Sequence, residues 1–145
     1  MDTRIISPVA FDATHYEAVC RLMGQLTTRS IEFTEEGYKN LIGRADSRLF
    51  LLLVEGRVEG MLTVGSYASP TGTKAWIEDV VVDASLRGSG LGRRLVQHAI
   101  GFCKEEGIST VYLTSNPKRV AANALYQAVG FERKETNMYK MNLNE

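Results

Sequence analysis

Cysteine and histidine are scarce in this sequence, where Cys20, Cys103, His15 and His98 are the whole supply. Each cysteine falls on the apolar side of a predicted helix, where a free thiol is commonly buried, and no disulfide framework is expected. The histidines have no companions at metal-ligand spacing, so no metal site is predicted. Net charge is missing as well. The 17 Lys and Arg balance the 17 Asp and Glu, which leaves no overall positive field to hold a phosphate polymer and disfavours a nucleic-acid partner. No apolar run reaches membrane-spanning length, and Met1-Asp2-Thr3-Arg4 leads into Ile5-Ile6-Ser7-Pro8 without the apolar stretch of a secretion signal. No membrane association is expected, and a cytoplasmic location follows by default.

What is present is the balance of an ordinary globular protein, with 44% hydrophobic and 23% charged residues over 145 positions. That length buries a core without staples, and no linker or internal repeat divides it, so residues 1–145 are expected to form one domain.

Residues 3–9 read as an opening strand. Thr14 and Glu17 have capping-box spacing ahead of Tyr16, Val19, Cys20 and Met23, which predicts a short amphipathic helix. Thr34, followed by Glu35 and Glu36, starts another helix with Tyr38, Leu41, Ile42 and Ala45 on one face; residues 24–33 read as loop or frayed helix. Leu49–Val54 and Val58–Tyr67, joined by Glu55-Gly56, predict a hairpin, and Ala75–Val82 a further strand that carries the polar pair Glu78-Asp79. Leu91, Leu95, Ala99 and Phe102 or Cys103 mark a helix that Gly107 stops. Ile108–Thr114 reads as a strand, and Ala121, Ala124, Leu125 and Ala128 mark a last helix between Pro117 and Gly130. Phe131–Lys134 and Met138–Leu143 are expected to close the sheet. This order argues for a mixed α+β or α/β fold with helices on the faces of one sheet. Trp76, Phe33 and Tyr38 read as core aromatics more readily than as the lining of an acceptor pocket.

Between the strand ending at Val82 and the helix beginning near Gly90 lie glycines 88, 90 and 92. Backbone amides at such a helix start form an anion site, and missing side chains allow close approach. The spacing of Gly88-Ser89-Gly90-Leu91-Gly92-Arg93 fits neither the dinucleotide fingerprint nor the P-loop, so neither NAD nor ATP is the natural ligand.

Arg87, Gly90 and Gly92 match the Arg/Gln-x-x-Gly-x-Gly/Ala signature of the GNAT superfamily of N-acetyltransferases, and Asn123-Ala124-Leu125-Tyr126 with Gly130-Phe131 is similar to that family's later block. The resemblance implies a central mixed, mostly antiparallel sheet of about six or seven strands flanked by about four helices. It also implies acetyl-CoA as co-substrate, held by Val80, Val81, Val82, Arg87, Gly88, Ser89, Gly90, Leu91, Gly92, Arg93, Asn123 and Tyr126. Where many relatives carry asparagine seven residues before the tyrosine, this sequence has Arg119. Family members often pair as dimers.

An ammonium must lose a proton before it attacks a thioester. Glu78 is the preferred base and Asp79 the alternative, because neighbours on a strand point to opposite faces. By the resemblance, a main-chain amide at Val82 or Val81 donates to the developing oxyanion and Tyr126 protonates the leaving thiolate. The expected activity is transfer of acetyl from acetyl-CoA to a primary amine, on a small molecule or a peptide, by direct attack in a ternary complex; the alternative is a non-catalytic acyl-CoA-binding sensor or interaction module.

Overall fold

Asp12, rather than Thr14, opens the first helix. Its extended backbone and short carboxylate let Oδ1 accept from the Thr14 and His15 amides at 2.8 and 3.2 Å, and a carboxylate also complements the positive end of the helix. The helix α1 (Ala13–Leu26) runs past Gly24 into the stretch read as loop or frayed helix, because Leu22 is fully buried and Leu26 packs against the same core. Thr34 caps α2 (Glu35–Ile42) as its sequence predicts, accepting from the Gly37 amide at 3.0 Å.

The computed structural model describes residues 1–144 and divides into two compact units, Met1–Thr114 and Ser115–Glu145. In the first unit β1 (Thr3–Ile6), β2 (Ser47–Val54), β3 (Arg57–Ser69), β4 (Gly72–Val82) and β5 (Thr110–Tyr112) form a sheet in that order. All pairs are antiparallel except β4 with β5, which is parallel. Strand alternation sends Leu49, Leu51, Leu53, Met61 and Val81 to the face covered by Val19 and Leu22 of α1 and Tyr38 of α2. The opposite face receives α3 (Leu91–Glu105), through Leu91, Leu95, Val96, Ala99 and the buried Cys103. Gly60 permits that approach: a Cβ there would stand 3.1 Å from Leu95 Cδ1 and 3.2 Å from the Val81 carbonyl.

In the second unit, α4 (Val120–Ala128) is followed by a segment without strand. The closing strands expected at 131–134 and 138–143 are therefore absent among the described residues, and the sheet has five strands rather than six or seven. A strand needs a ladder partner, and none pairs with residues 131–144. Tyr139 and Leu143 stay 87% and 83% exposed.

Candidate functional site

β4 departs from regular pairing where the sequence places its acids. Thr63 of β3 opposes Glu78 and Met61 opposes Val81, so Leu62 faces two residues, Asp79 and Val80, across a β-bulge. Asp79 sits at φ +55°, a left-handed conformation that non-glycine residues seldom take and that costs on the order of 1–3 kcal/mol. Glu78 shares a face with Trp76 and Thr63, the face on which α1 and α2 lie. Partial desolvation, and then the negative charge of Asp79, raise its carboxyl above the ordinary range. A raised carboxylate is a stronger proton acceptor once ionised.

β5 pairs with β4 only over Lys74–Trp76, where the Trp76 and Tyr112 rings stack at 5.2 Å. From Ile77 to Val82 the outer edge of β4 has no strand partner among the described residues. Apart from the Val82 carbonyl, which accepts from Arg87 Nε, alternate backbone N–H and C=O groups on that edge are thus free to meet an extended ligand. Val81 is buried and Val82 half-buried, so what these two offer is main chain.

After β4, Asp83 leads into a 3-10 turn at Ala84–Leu86 and then into Arg87–Gly90. The Asp83 Oδ1 accepts from the Ser85 amide at 3.0 Å, the Ser89 hydroxyl donates to the Leu86 carbonyl, and Arg87 Nε donates to the Val82 carbonyl at 3.4 Å. Gly88 and Gly90 have φ of +81° and +83°, with open space where a Cβ would stand. Backbone conformation, not crowding, requires glycine there. Gly90 opens α3 without any side-chain cap. The amides of Leu91, Gly92 and Arg93 therefore keep the unsatisfied donors of a helix start, where the dipole is positive. Leu91 is buried and anchors this turn to the core, while Arg87 and Arg93 are exposed cations beside it. Residues 80–82 and 87–93 are consequently brought into one continuous strand-loop-helix, and the donor set suits a diphosphate.

In the second unit Tyr126 is 7% exposed and its ring meets Phe131 edge-on at 6.2 Å, which gives the Gly130-Phe131 pair a packing role. Burial raises the Tyr126 phenol, opposed by the charge of Arg119, so it stays protonated at neutral pH. Asn123 Nδ2 donates to the Asn116 and Arg119 carbonyls at 2.9 and 2.8 Å. Its amide N–H groups hold that turn, and its Oδ1 is what remains for a ligand.

Two features have no local signature in the sequence. One is a cavity of ≈ 230 Å³ between α1 and the α1–α2 connection, lined by Cys20, Met23, Gly24, Thr27, Arg29 and Phe33 among others. Phe33 thus lines a cavity as well as packing on Tyr16 at 6.2 Å, whereas Tyr38 is wholly core. Cys20 is only half-buried, less than its helical position implies. The other is a polar network joining Arg21 and Gln25 of α1 to Asp83, 62 and 58 residues away.

Comparison with known proteins gives this geometry a family. The family model for "Acetyltransferase (GNAT) family" matches residues 16–131. A probable glucosamine 6-phosphate N-acetyltransferase 2 of Oryza sativa subsp. japonica is 42% identical over 62 residues, 43% of this chain and 36% of the relative. A streptothricin acetyltransferase of Streptomyces lavendulae is 35% identical over 88 residues, 60% of this chain and 46% of its own. The chain thus spans less than half the length of these curated relatives. Among solved structures, glucosamine-6-phosphate N-acetyltransferase from Arabidopsis thaliana superposes with a TM-score of 0.81 over 97% of this chain and 99% of its own, at 23% identity, which is a likeness of fold. The chain belongs to the acetyltransferase (GNAT) family.

Proposed function

We propose that this chain is an N-acetyltransferase that moves the acetyl group of acetyl-CoA to a primary amine by direct attack in a ternary complex. The observation that carries the reading is the free edge of β4 running through Val82 into a glycine loop and the uncapped start of α3. The family match extends over both compact units, which supports reading residues 1–145 as one N-acetyltransferase domain.

In this reading Arg87–Arg93 bind the diphosphate through backbone amides and the free edge at Val80–Val82 meets the extended thiol arm, with Asn123 contributing Oδ1. The acceptor is a small-molecule or peptide amine. Glu78, or Asp79 in its place, takes the proton from the acceptor ammonium directly or through water. The amine lone pair then forms the new N–C bond, and a main-chain amide at Val81 or Val82 donates to the oxyanion. As the C–S bond breaks, the electron pair leaves with sulfur and Tyr126 supplies its proton, while the second proton shed by the new amide nitrogen passes through water to restore the Tyr126 phenol.

An acetyl-CoA-dependent thiol-release screen over polyamines, amino sugars, amino acids, aminoglycosides and N-terminal peptides tests the reading, with mass spectrometry fixing the acetylated atom. Tight acetyl-CoA binding without turnover on any amine would favour a non-catalytic acyl-CoA-binding module.

A further inference from the structure

Asp83 stands at the junction of β4 with the glycine loop, and both of its carboxylate oxygens are engaged. Oδ2 accepts from Arg21 Nη1 and, at 2.9 Å, from Gln25 Nε2. Oδ1 accepts from the Ser85 amide at 3.0 Å and from the Ser85 hydroxyl at 2.7 Å. The Asp83 amide donates to the Glu59 carbonyl at 2.8 Å. Gln25 also holds the turn by its other end, since its Oε1 accepts from the Ala84 amide at 2.8 Å. Arg21 continues the network to the Val58 carbonyl at 2.7 Å and to Glu59 Oε1 at 3.3 Å. The Asp83 and Glu59 side chains are 15% and 13% exposed, so these bonds are partly shielded from water.

Apolar packing already holds α1 to the sheet through Val19 and Leu22. Packing is not directional, however, and leaves a helix free to rotate or slide by small amounts; hydrogen bonds fix it. Gln25 is the one side chain in this network that both donates to the Asp83 carboxylate and accepts from the next residue's amide. An amide side chain does both from two different atoms, whereas an ionised carboxylate has no donor and a guanidinium no acceptor. The same helix lines the cavity through Cys20, Met23 and Gly24.

We propose that Gln25, with Arg21 and Asp83, is a positioning residue that fixes the start of the glycine loop for acetyl-CoA by tying it to α1. This rests on the acetyl-CoA reading of the loop. The depressed Asp83 carboxyl, held down first by Gln25, then by Ser85 and by Arg21, accords with a network that requires the ionised form.

Gln25→Glu tests it with minimal change of shape. The new carboxylate still accepts from the Ala84 amide but repels Asp83, with Arg21 on α1 and Glu59 and Arg57 on β3 as the other charges facing the pair. When one of the two carboxyls takes up a proton, a donor is restored between them. Calorimetric titration with acetyl-CoA should give wild-type binding that changes little between pH 7.5 and pH 5.5, and Gln25→Glu binding about tenfold weaker at pH 7.5 that recovers towards wild type at pH 5.5. Leu22→Ala, which loosens α1 without touching the network, should lower Tm at least as far while leaving the acetyl-CoA affinity within twofold of wild type. A Gln25→Glu affinity equal to wild type at both pH values, a deficit that acid does not relieve, or a matching deficit in Leu22→Ala would overturn the inference while the acetyl-CoA reading stands. Wild type failing to bind acetyl-CoA would remove both.

Discussion

Glu78 and Val81 stand on the same face of β4 although an odd number of positions separates them. The bulge at Asp79-Val80 is what reverses the alternation, and it leaves two carboxylates adjacent at the point where the strand loses its outer partner. If Glu78 is the base, its raised carboxyl sets the acid limb of kcat/KM. Asp79→Asn removes a negative neighbour, makes ionisation of Glu78 easier and so moves that limb to lower pH. Glu78→Gln should lower kcat by about 10²–10⁴-fold with little change in acetyl-CoA affinity. A pH–rate profile of each variant checks the pair. An Asp79→Asn limb that moves upward, or a Glu78→Gln enzyme with a wild-type profile, would assign the proton to another group.

Gly60→Ala should destabilise the first unit by about 1–3 kcal/mol, the usual range for overpacking. The added methyl meets Leu95 Cδ1 at 3.1 Å on one side and the Val81 carbonyl at 3.2 Å on the other, so relief requires α3 or β4 to move. Denaturant titration measures it; an unchanged midpoint would mean that the α3 face is packed more loosely than these distances show.

Tyr126→Phe keeps the ring that packs on Phe131 and deletes one hydroxyl. Acetyl-CoA affinity should hold while single-turnover transfer falls by about 10²-fold, the low end for a general acid, because a thiol of pKa near 8.5 leaves fairly well unaided. An acetyl thioester with a better leaving group should shrink the defect. Undiminished transfer, on an acceptor for which chemistry limits the wild type, would make Tyr126 a packing residue.

Features set by neighbours in sequence were legible before the structure. The Thr34 cap, the glycine loop, α3 and the strand carrying Glu78 all follow from local spacing and φ requirements. Register was not legible, because a bulge depends on what the partner strand places opposite; Asp79 is an ordinary strand residue until Leu62 is seen facing it together with Val80. The network of Arg21 and Gln25 with Asp83 was invisible for the same reason, its members being 62 and 58 positions apart. Thr14, read as the cap of the first helix, gives way to Asp12, whose extended backbone brings its carboxylate to the Thr14 and His15 amides. The segments 131–134 and 138–143 read as closing strands because local sequence records which residues could pair, not whether a partner edge is present.

The central claim is that Arg87–Arg93 hold acetyl-CoA, and calorimetric titration of acetyl-CoA into wild type and Gly90→Asp side by side tests it most directly. Gly90 lies at φ +83° at the mouth of α3, so aspartate there adds both backbone strain and a negative charge where a diphosphate would meet amides. The account predicts saturable one-to-one binding to the wild type and none measurable to a Gly90→Asp protein that retains the wild-type far-ultraviolet circular dichroism and a cooperative melt. Equal binding by the two proteins, or no binding by the wild type, would contradict it.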